Sequence, residues 1–415
     1  MIINKFGGAS IKNAAAIKQM FEICRNNIKT GIVVVSAMGK TTNLLEHITL
    51  SYFKKEPFAE LLNKFILYHN NIIDELFSAK NDVKTKFNDI INSLSNKLNK
   101  PASGDYDFEY DSIVPFGEMV SSLIVSEYLN SNNLTNTLID ITNIIKTDSN
   151  YRDAKVNTEL STANVKSIFT DITSKLYITQ GFISSDNNGN FTTLGREGSD
   201  FTAAILANML NAEKVVVWKD VPGIMCADPQ WLPDAPKIEQ LSYLDAVELA
   251  FYGAKVIHPK TIKPLQNKNI PLQVRSFINT ADNGTLINNF NNLRLSPVYI
   301  KKDNQVLISI KPFDYSFIIE ENLSHIFGIL AKNKIKVNLM QNSAVSFTIV
   351  VDYELYRIKN VIKELKEHYN AKYNDHLQLI TIRHFKQGAE DIVLKNKSVL
   401  LEEHTRSVAR FLVKI

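Results

Sequence analysis

I-I-N-K-F-G-G at residues 2–8 and G-I-V-V-V-S-A-M-G-K-T-T-N at residues 31–43 decide the fold. Each opens on a run of strand length, short and ending in Lys5-Phe6 in the first and wholly apolar in the second, breaks at glycines or hydroxyl residues, and leads into a helical pattern, the first over residues 13–29. Apolar runs without polar alternation read as strands buried on both faces, as in a parallel sheet covered by helices. Strand, turn and helix twice in succession predict an α/β protein with a mainly parallel sheet.

Working outward, residues 44–100 read as mostly helical and rich in Leu, Ile, Phe, Lys and Asn, the makeup of a helical cover or lid. Residues 101–111 read as a polar, acidic loop, 116–129 as a helix and 137–140 as a strand. Two strands, 176–184 and 191–193, read as a hairpin around the Asn187-Asn188-Gly189 turn signal. A strand at 215–218 feeds the loop K-D-V-P-G-I-M-C-A-D-P, followed by a helix at 244–252 and a strand at 270–277. Asp282-Asn283-Gly284 and the Asn-rich run to Asn292 read as a linker. Beyond it the pattern changes to strand 306–311, helix 322–332, strands 336–341 and 345–351, helix 353–369, and strands 379–383, 399–403 and 408–413. Strand-helix-strand-strand-helix-strand is the ferredoxin-like order of small ligand-sensing modules.

At 415 residues the chain is too long for one ordinary core. With 47 basic and 43 acidic residues interspersed, it lacks the electrostatic footprint of a nucleic-acid binder. Cys24 and Cys226 form neither a disulfide framework nor a metal-ligand spacing, which suits a reducing, cytoplasmic setting. Glycine arrives too early at the N-terminus for a signal peptide, and no apolar run is long enough to span a bilayer.

The stretch T-T-L-G-R-E-G-S-D at residues 192–200 enters a predicted apolar helix. It has the makeup of an anion site at a helix N-terminus, and equally that of a plain N-cap. Lys5, at the end of the first strand against Gly7 and Gly8, can reach phosphate oxygens or simply sit on the surface beside a turn. Ser36, Thr41 and Thr42 follow the second strand, where open α/β sheets place ligands and where helices are also capped. Glu118 can grip an ammonium or complement a helix dipole. Asp220 and Asp228 flank a loop of the kind that lies over nucleotides, or mark ordinary turns. Lys255 and His258 fall near a predicted helix end, with His258 read as structural. Neither G-x-x-x-x-G-K-[ST] nor G-x-G-x-x-G occurs, which argues against P-loop and dinucleotide-binding folds.

Taken in order, the chain resembles the aspartate kinases of the amino-acid kinase family. The resemblance rests on K-F-G-G-A-S (5–10), V-V-V-S-A-M-G-K-T-T-N-L (33–44), F-G-E-M-V-S-S (116–122), Q-G-F-I (180–183), T-T-L-G-R-E-G-S-D, W-K-D-V-P-G-I, A-D-P and G-A-K-V-I-H-P-K-T. The C-terminal S-H-I-F-G-I-L-A-K-N-K-I-K-V-N-L-M-Q-N-S-A-V-S-F is similar to the family's first ACT module. The resemblance implies a catalytic domain over 1–285 and two ACT-like modules over 296–415, the last without its closing helix. It implies ATP- and Mg²⁺-dependent phosphorylation of the L-aspartate β-carboxylate, the entry to lysine, threonine and methionine. It also implies a homodimer and an amino-acid effector at the ACT modules.

Carried over by position, Lys5 would contact the transferring phosphoryl group, with Gly7, Gly8 and Ser36 around the phosphates and Asp200 orienting the lysine. Thr42, Glu118, Arg196 and Ser199 would hold aspartate, and Lys219, Asp220, Met225 and Lys255 would border ATP. Ala9 stands where the family has Thr, Gln230 where Arg is usual, and Met225 where some relatives have an aromatic ring, changes that bear on ATP affinity. Asn338 replaces the Asp of lysine-sensitive relatives, so lysine feedback is not assured. Two other readings stay open: a carboxylate or carbamate kinase of the same fold, and an inactive kinase-like amino-acid sensor. The chain ends before a dinucleotide domain could fit, so a fusion with homoserine dehydrogenase is not expected.

Overall fold

The computed structural model describes residues 1–414 apart from 79–81, 255, 256, 292, 294 and 315. The two opening apolar runs form strands β1 (Ile2–Phe6) and β2 (Gly31–Val35), paired in parallel with Lys5 opposite Val34. All five residues of β2 are buried, and each fully buried Val or Ile side chain contributes about 1.5–3 kcal/mol. Helix α1 (Ala14–Asn27) connects them, its first turn closed by the Asn13 side chain accepting from the Ala16 N–H.

Helices α2 (Thr41–Phe53), α3 (Ala59–Leu76), α4 (Val83–Leu98), α5 (Tyr106–Ile113) and α6 (Phe116–Ser131) follow. Strand β3 (Thr137–Ile139) and helix α7 (Thr158–Ile168) lead to β4 (Leu176–Gln180), β5 (Ile183–Ser185) and β6 (Phe191–Thr193). After α8 (Gly198–Leu210) come β7 (Lys214–Lys219), the two-residue strands β8 (Ile224–Met225) and β9 (Lys237–Ile238), and β10 (Gln240–Ser242). Helices α9 (Tyr243–Tyr252) and α10 (Pro259–Gln266) and strands β11 (Leu272–Ser276) and β12 (Thr285–Asn288) complete this part. The main sheet has the order β10-β12-β11-β7-β1-β2-β4-β3 and is parallel except where β12 runs against β11. One core joins Phe6, Val33, Val35, Ile178 and Trp218 of the sheet to α1, α2, α3, α4 and α6. Helix α8 packs on β1, β2 and β7, and ten of its thirteen residues are buried, as expected of a helix apolar all round.

Three expectations need correction. The loop expected over 101–111 holds most of α5, because Asp105 caps the Asp107 and Phe108 N–H groups and acidic residues fill the first turn. The strand expected over 176–184 breaks at Gly181-Phe182: β4 ends in the main sheet, and β5 starts a separate ladder with β6. The linker expected over 282–292 contains β12, where Thr285 and Ile287 are buried and Leu286 and Asn288 are partly covered. Its polar composition masked a period of two.

The chain forms two compact units: Met1–Ile224, Lys237–Ala250 and Lys255–Leu293, and then Met225–Pro236, Phe251–Ala254 and Arg294–Ile415. The second is built on a six-stranded antiparallel sheet, β14-β15-β13-β16-β18-β17. Its elements are β13 (Val298–Lys311), α11 (Glu320–Lys332), β14 (Val337–Ser343), β15 (Ser346–Asp352), α12 (Leu355–His368), β16 (Asn370–Arg383), α13 (Asp391–Leu394), β17 (Ser398–His404) and β18 (Val408–Lys414). Helices α11 and α12 cover one face through Ile326, Leu330, Val361 and Leu365, in the expected ferredoxin-like order. β13 and β16 are each longer than the sequence suggested: they stay paired across register shifts at Lys302/Gln305 and Gln305/Leu307. Asn304 and His376 sit at positive φ there, so bulges carry both strands through polar stretches that read as loops.

Candidate active site

The site in the first unit forms where β1, β2 and α8 end against one another. Lys5 enters from β1 and is only 7% exposed. Its Nζ lies 2.7 Å from Asp200 Oδ1 in the first turn of α8, and Lys219 Nζ, at the end of β7, lies 3.5 Å from Asp200 Oδ2. Burial alone would raise the Asp200 pKa; the Lys5 and Lys219 ammoniums outweigh it and hold the carboxyl below its ordinary range.

The glycine turns bring two backbone segments into contact. The Gly39 N–H donates to Gly8 O at 3.0 Å, and a Cβ on Gly8 would stand 2.7 Å from Ala37 O, so residue 8 must be glycine for the segments to meet. A Cβ on Gly7 would lie 3.4 Å from Lys5 Nζ, which puts the main chain of residue 7 beside the lysine. Ser121 Oγ donates to Ser36 O at 2.6 Å, joining α6 to the end of β2.

From α6, Glu118 points into this region and is 2% exposed. Its Oε1 accepts from the Ala37 N–H at 3.2 Å, and among the described residues Oε2 has no hydrogen-bond partner. Burial pushes its pKa up to about 8, against the Ala37 N–H and the Lys5 charge, which favour ionisation. A cavity of about 490 Å³ opens here, lined among others by Gly8, Ser36, Thr42, Glu118, Arg196 and Ser199. Arg196 is exposed at this wall, and among the described residues its guanidinium has no ion-pair or hydrogen-bond partner. A free guanidinium and a free carboxyl oxygen in one cavity are complementary to a zwitterion.

Six of the residues singled out from sequence thus share the cavity wall. Lys5, Gly7 and Lys219 do not line it; Lys5 and Lys219 meet through Asp200, next to the lining residue Ser199. Asp220 is exposed and also outside the wall. Met225 belongs to the second unit, and Lys255 lies outside the described residues.

Sequence reasoning missed Glu46, Tyr110 and Arg152 in the wall. The Arg152 guanidinium lies 4.4 Å from the Tyr110 ring centre and 3.4 Å from Glu46 Oε1. Its backbone adopts φ +68°, a conformation no residue type there would signal. Behind it, buried Asp111 accepts from the Arg152 N–H (2.9 Å), the Thr193 N–H (2.8 Å) and Thr193 Oγ1 (2.7 Å). Burial lifts the Asp111 pKa to about 6, in spite of those donors.

A mainly parallel sheet carries a lysine–aspartate–lysine group at its strand ends, beside a cavity that presents a free guanidinium and a free carboxyl oxygen, an arrangement suited to moving a charged group onto a small zwitterion. The chain belongs to the amino acid kinase family, whose model matches residues 1–276. Within that family its likeness is to aspartokinases. It is 30% identical over 354 residues to the lysine-sensitive aspartokinase 3 of Escherichia coli (strain K12), covering 85% of this chain and 78% of that protein. The solved structure of E. coli aspartokinase III with aspartate and ADP matches it with a TM-score of 0.83 at 26% identity, over 100% of this chain and 96% of the other. The same enzyme solved with lysine and aspartate gives 0.83 at 27% identity with the same coverage.

Proposed function

We propose that the chain transfers the γ-phosphoryl group of ATP to the β-carboxylate of L-aspartate, giving 4-phospho-L-aspartate and ADP. One observation carries this reading: a free Arg196 guanidinium and a free Glu118 carboxyl oxygen share a cavity with Ser199, whose neighbour Asp200 holds Lys5. Arg196 pairs two-pronged with the α-carboxylate, Glu118 takes the ammonium, and Thr42 and Ser199 supply hydroxyls. The β-carboxylate is then left facing the phosphoryl donor.

The nucleophile is already an anion, so no strong base is needed. Catalysis consists of alignment and of neutralising the charge on the transferring group. Lys5 does the second, held in place by Asp200, while Gly7, Gly8 and Ser36 surround the phosphates and Lys219 and Asp220 border the nucleotide. ATP enters as its Mg²⁺ complex. No group of three or more His, Cys, Asp or Glu that could hold a metal ion occurs among the described residues. When bound, the ion neutralises phosphate charge.

The product is an acyl phosphate that opens lysine, threonine and methionine synthesis. Residues 1–285 act as the catalytic domain and 296–415 as the regulatory ACT-like modules, with the enzyme a cytoplasmic homodimer. No helix among the described residues is long and apolar enough to cross a membrane. The test is hydroxylamine trapping of acyl phosphate with ATP and, in turn, aspartate, glutamate, acetylglutamate and carbamate. Aspartyl hydroxamate alone is expected; product from glutamate but not aspartate would overturn the reading.

A further inference from the structure

Arg196 is borne on a short segment between β6 and α8 that is held at both ends by one turn elsewhere in the chain. The Glu197 carboxylate Oε2 accepts from the His258 backbone N–H at 2.9 Å. Two residues on, Lys260 Nζ donates to Leu194 O at 3.1 Å and pairs with Asp153. The His258 ring in turn caps the Lys260 N–H at 3.2 Å, fixing the start of α10. Between these two anchors stands Arg196, whose own guanidinium is tied to nothing among the described residues.

Glu197 adopts φ +53°, ψ +30°, the left-handed conformation, which is costly for a residue with a Cβ and recurs where a functional site over-determines the backbone. Its side chain makes no capping bond to α8 and reaches out to residue 258 instead. Capping of α8 therefore does not use this side chain, which is committed instead to the His258 N–H.

We infer that the 258–260 turn is a clasp for the acceptor arginine, with Glu197 and Lys260 as positioning residues that hold Arg196 where it can grip the substrate's carboxylate. The clasp deepens the proposed reading of the cavity and rests on it for the identity of the acceptor. A guanidinium on an untethered loop must be ordered when the anion binds, and that cost falls on affinity. Loss of the clasp therefore raises KM for the acceptor and leaves kcat nearly unchanged.

The test uses the full-length enzyme. Glu197→Asn keeps a residue that tolerates the left-handed backbone but is too short to reach the His258 N–H; Glu197→Gln keeps the reach and an acceptor oxygen. Asparagine is expected to raise KM for aspartate about 5–20-fold with kcat within about twofold, and glutamine to restore most of the affinity. Lys260→Met is expected to raise KM in the same way. Amide hydrogen exchange, read without any substrate, is expected to quicken about tenfold at residues 194–198 in Glu197→Asn, with the rest of α8 unchanged. Equal KM and equal exchange in the asparagine and glutamine variants would overturn the clasp, as would an asparagine effect confined to Tm. If wild-type enzyme makes no aspartyl phosphate, the acceptor assignment fails, while the exchange measurement still decides the clasp.

Discussion

Lys5 carries its charge into a place where burial would penalise a lone ammonium, and Asp200 at 2.7 Å makes that tolerable. In Lys5→Ala the positive charge opposite the phosphoryl group is gone, while Arg196 and Glu118 remain. Turnover is expected to fall by about a thousandfold or more, with aspartate binding measured by calorimetry largely intact. Glu118 offers a second check through protons. With its pKa pushed up to about 8, it is mostly protonated at pH 7 in the free protein. An ammonium docking on it favours the ionised form, so aspartate binding near pH 7 is expected to release a proton. Calorimetry in buffers of different ionisation enthalpy reads this directly, and uptake or no change would contradict it. The stability linkage has the opposite sense from that of an ordinary paired carboxylate. A folded pKa above the unfolded value means that stability falls as pH rises from about 4.5 to about 8. Glu118→Gln, isosteric and never charged, is expected to gain Tm relative to wild type more at pH 8 than at pH 5.

At the scale of elements, the site depends on how closely the end of β4 approaches the N-terminus of α8. A Cβ on Gly181 would stand 2.5 Å from Ser199 Cβ and 2.7 Å from its Cα. Gly181→Ala must push the first turn of α8 away, together with Ser199 and Asp200. Activity is expected to fall tenfold or more, with about 1–3 kcal/mol of stability lost in denaturant titration. The elements framing this approach were legible because their signals are local: an unbroken apolar run for β2, a strand-length run anchored by Ile2, Ile3 and Phe6 for β1, and glycines or hydroxyls at their ends. Helix α5 was not legible, since Y-D-F-E-Y-D-S-I is polar enough to read as a loop, and its fold depends on Asp105 capping and on Tyr110 being buried. Arg152 stayed hidden for a related reason. It joins the cavity through a positive-φ turn and through partners in α2 and α5 that are distant in sequence, Glu46 and Tyr110. The ordered series of motifs gave the neighbours of Arg196; it did not give the tie from Glu197 to His258.

Across the whole molecule, the second unit leaves an open sheet edge with apolar surface beside it. Among the described residues β14 pairs only with β15, and the segment before α11 runs along this hairpin through the Ile318 N–H to Ala344 O bond of 2.9 Å. Phe317 (69% exposed), Ile319 (49%), Met340 (56%) and Val345 (37%) all lie on that segment or hairpin. A free edge flanked by exposed aromatic and aliphatic side chains is suited to association, and the homodimer proposed above would use it. One polar side chain of this edge strand is already engaged within the unit. Asn338, also on β14, already has its amide committed, accepting from Lys302 Nζ at 2.9 Å and donating to Gln305 Oε1 (2.8 Å) and Asp352 Oδ1 (2.9 Å). The β14 edge main chain and the four apolar side chains beside it are thus open to a partner. Sedimentation is therefore expected to give twice the chain mass at micromolar concentration. Phe317→Asp combined with Met340→Lys, both at exposed positions, is expected to shift the enzyme to single chains with little change in the unfolding of either unit. A wild-type enzyme that sediments as one chain at all concentrations would rule out the second copy, and a double variant that stays dimeric would place the interface elsewhere.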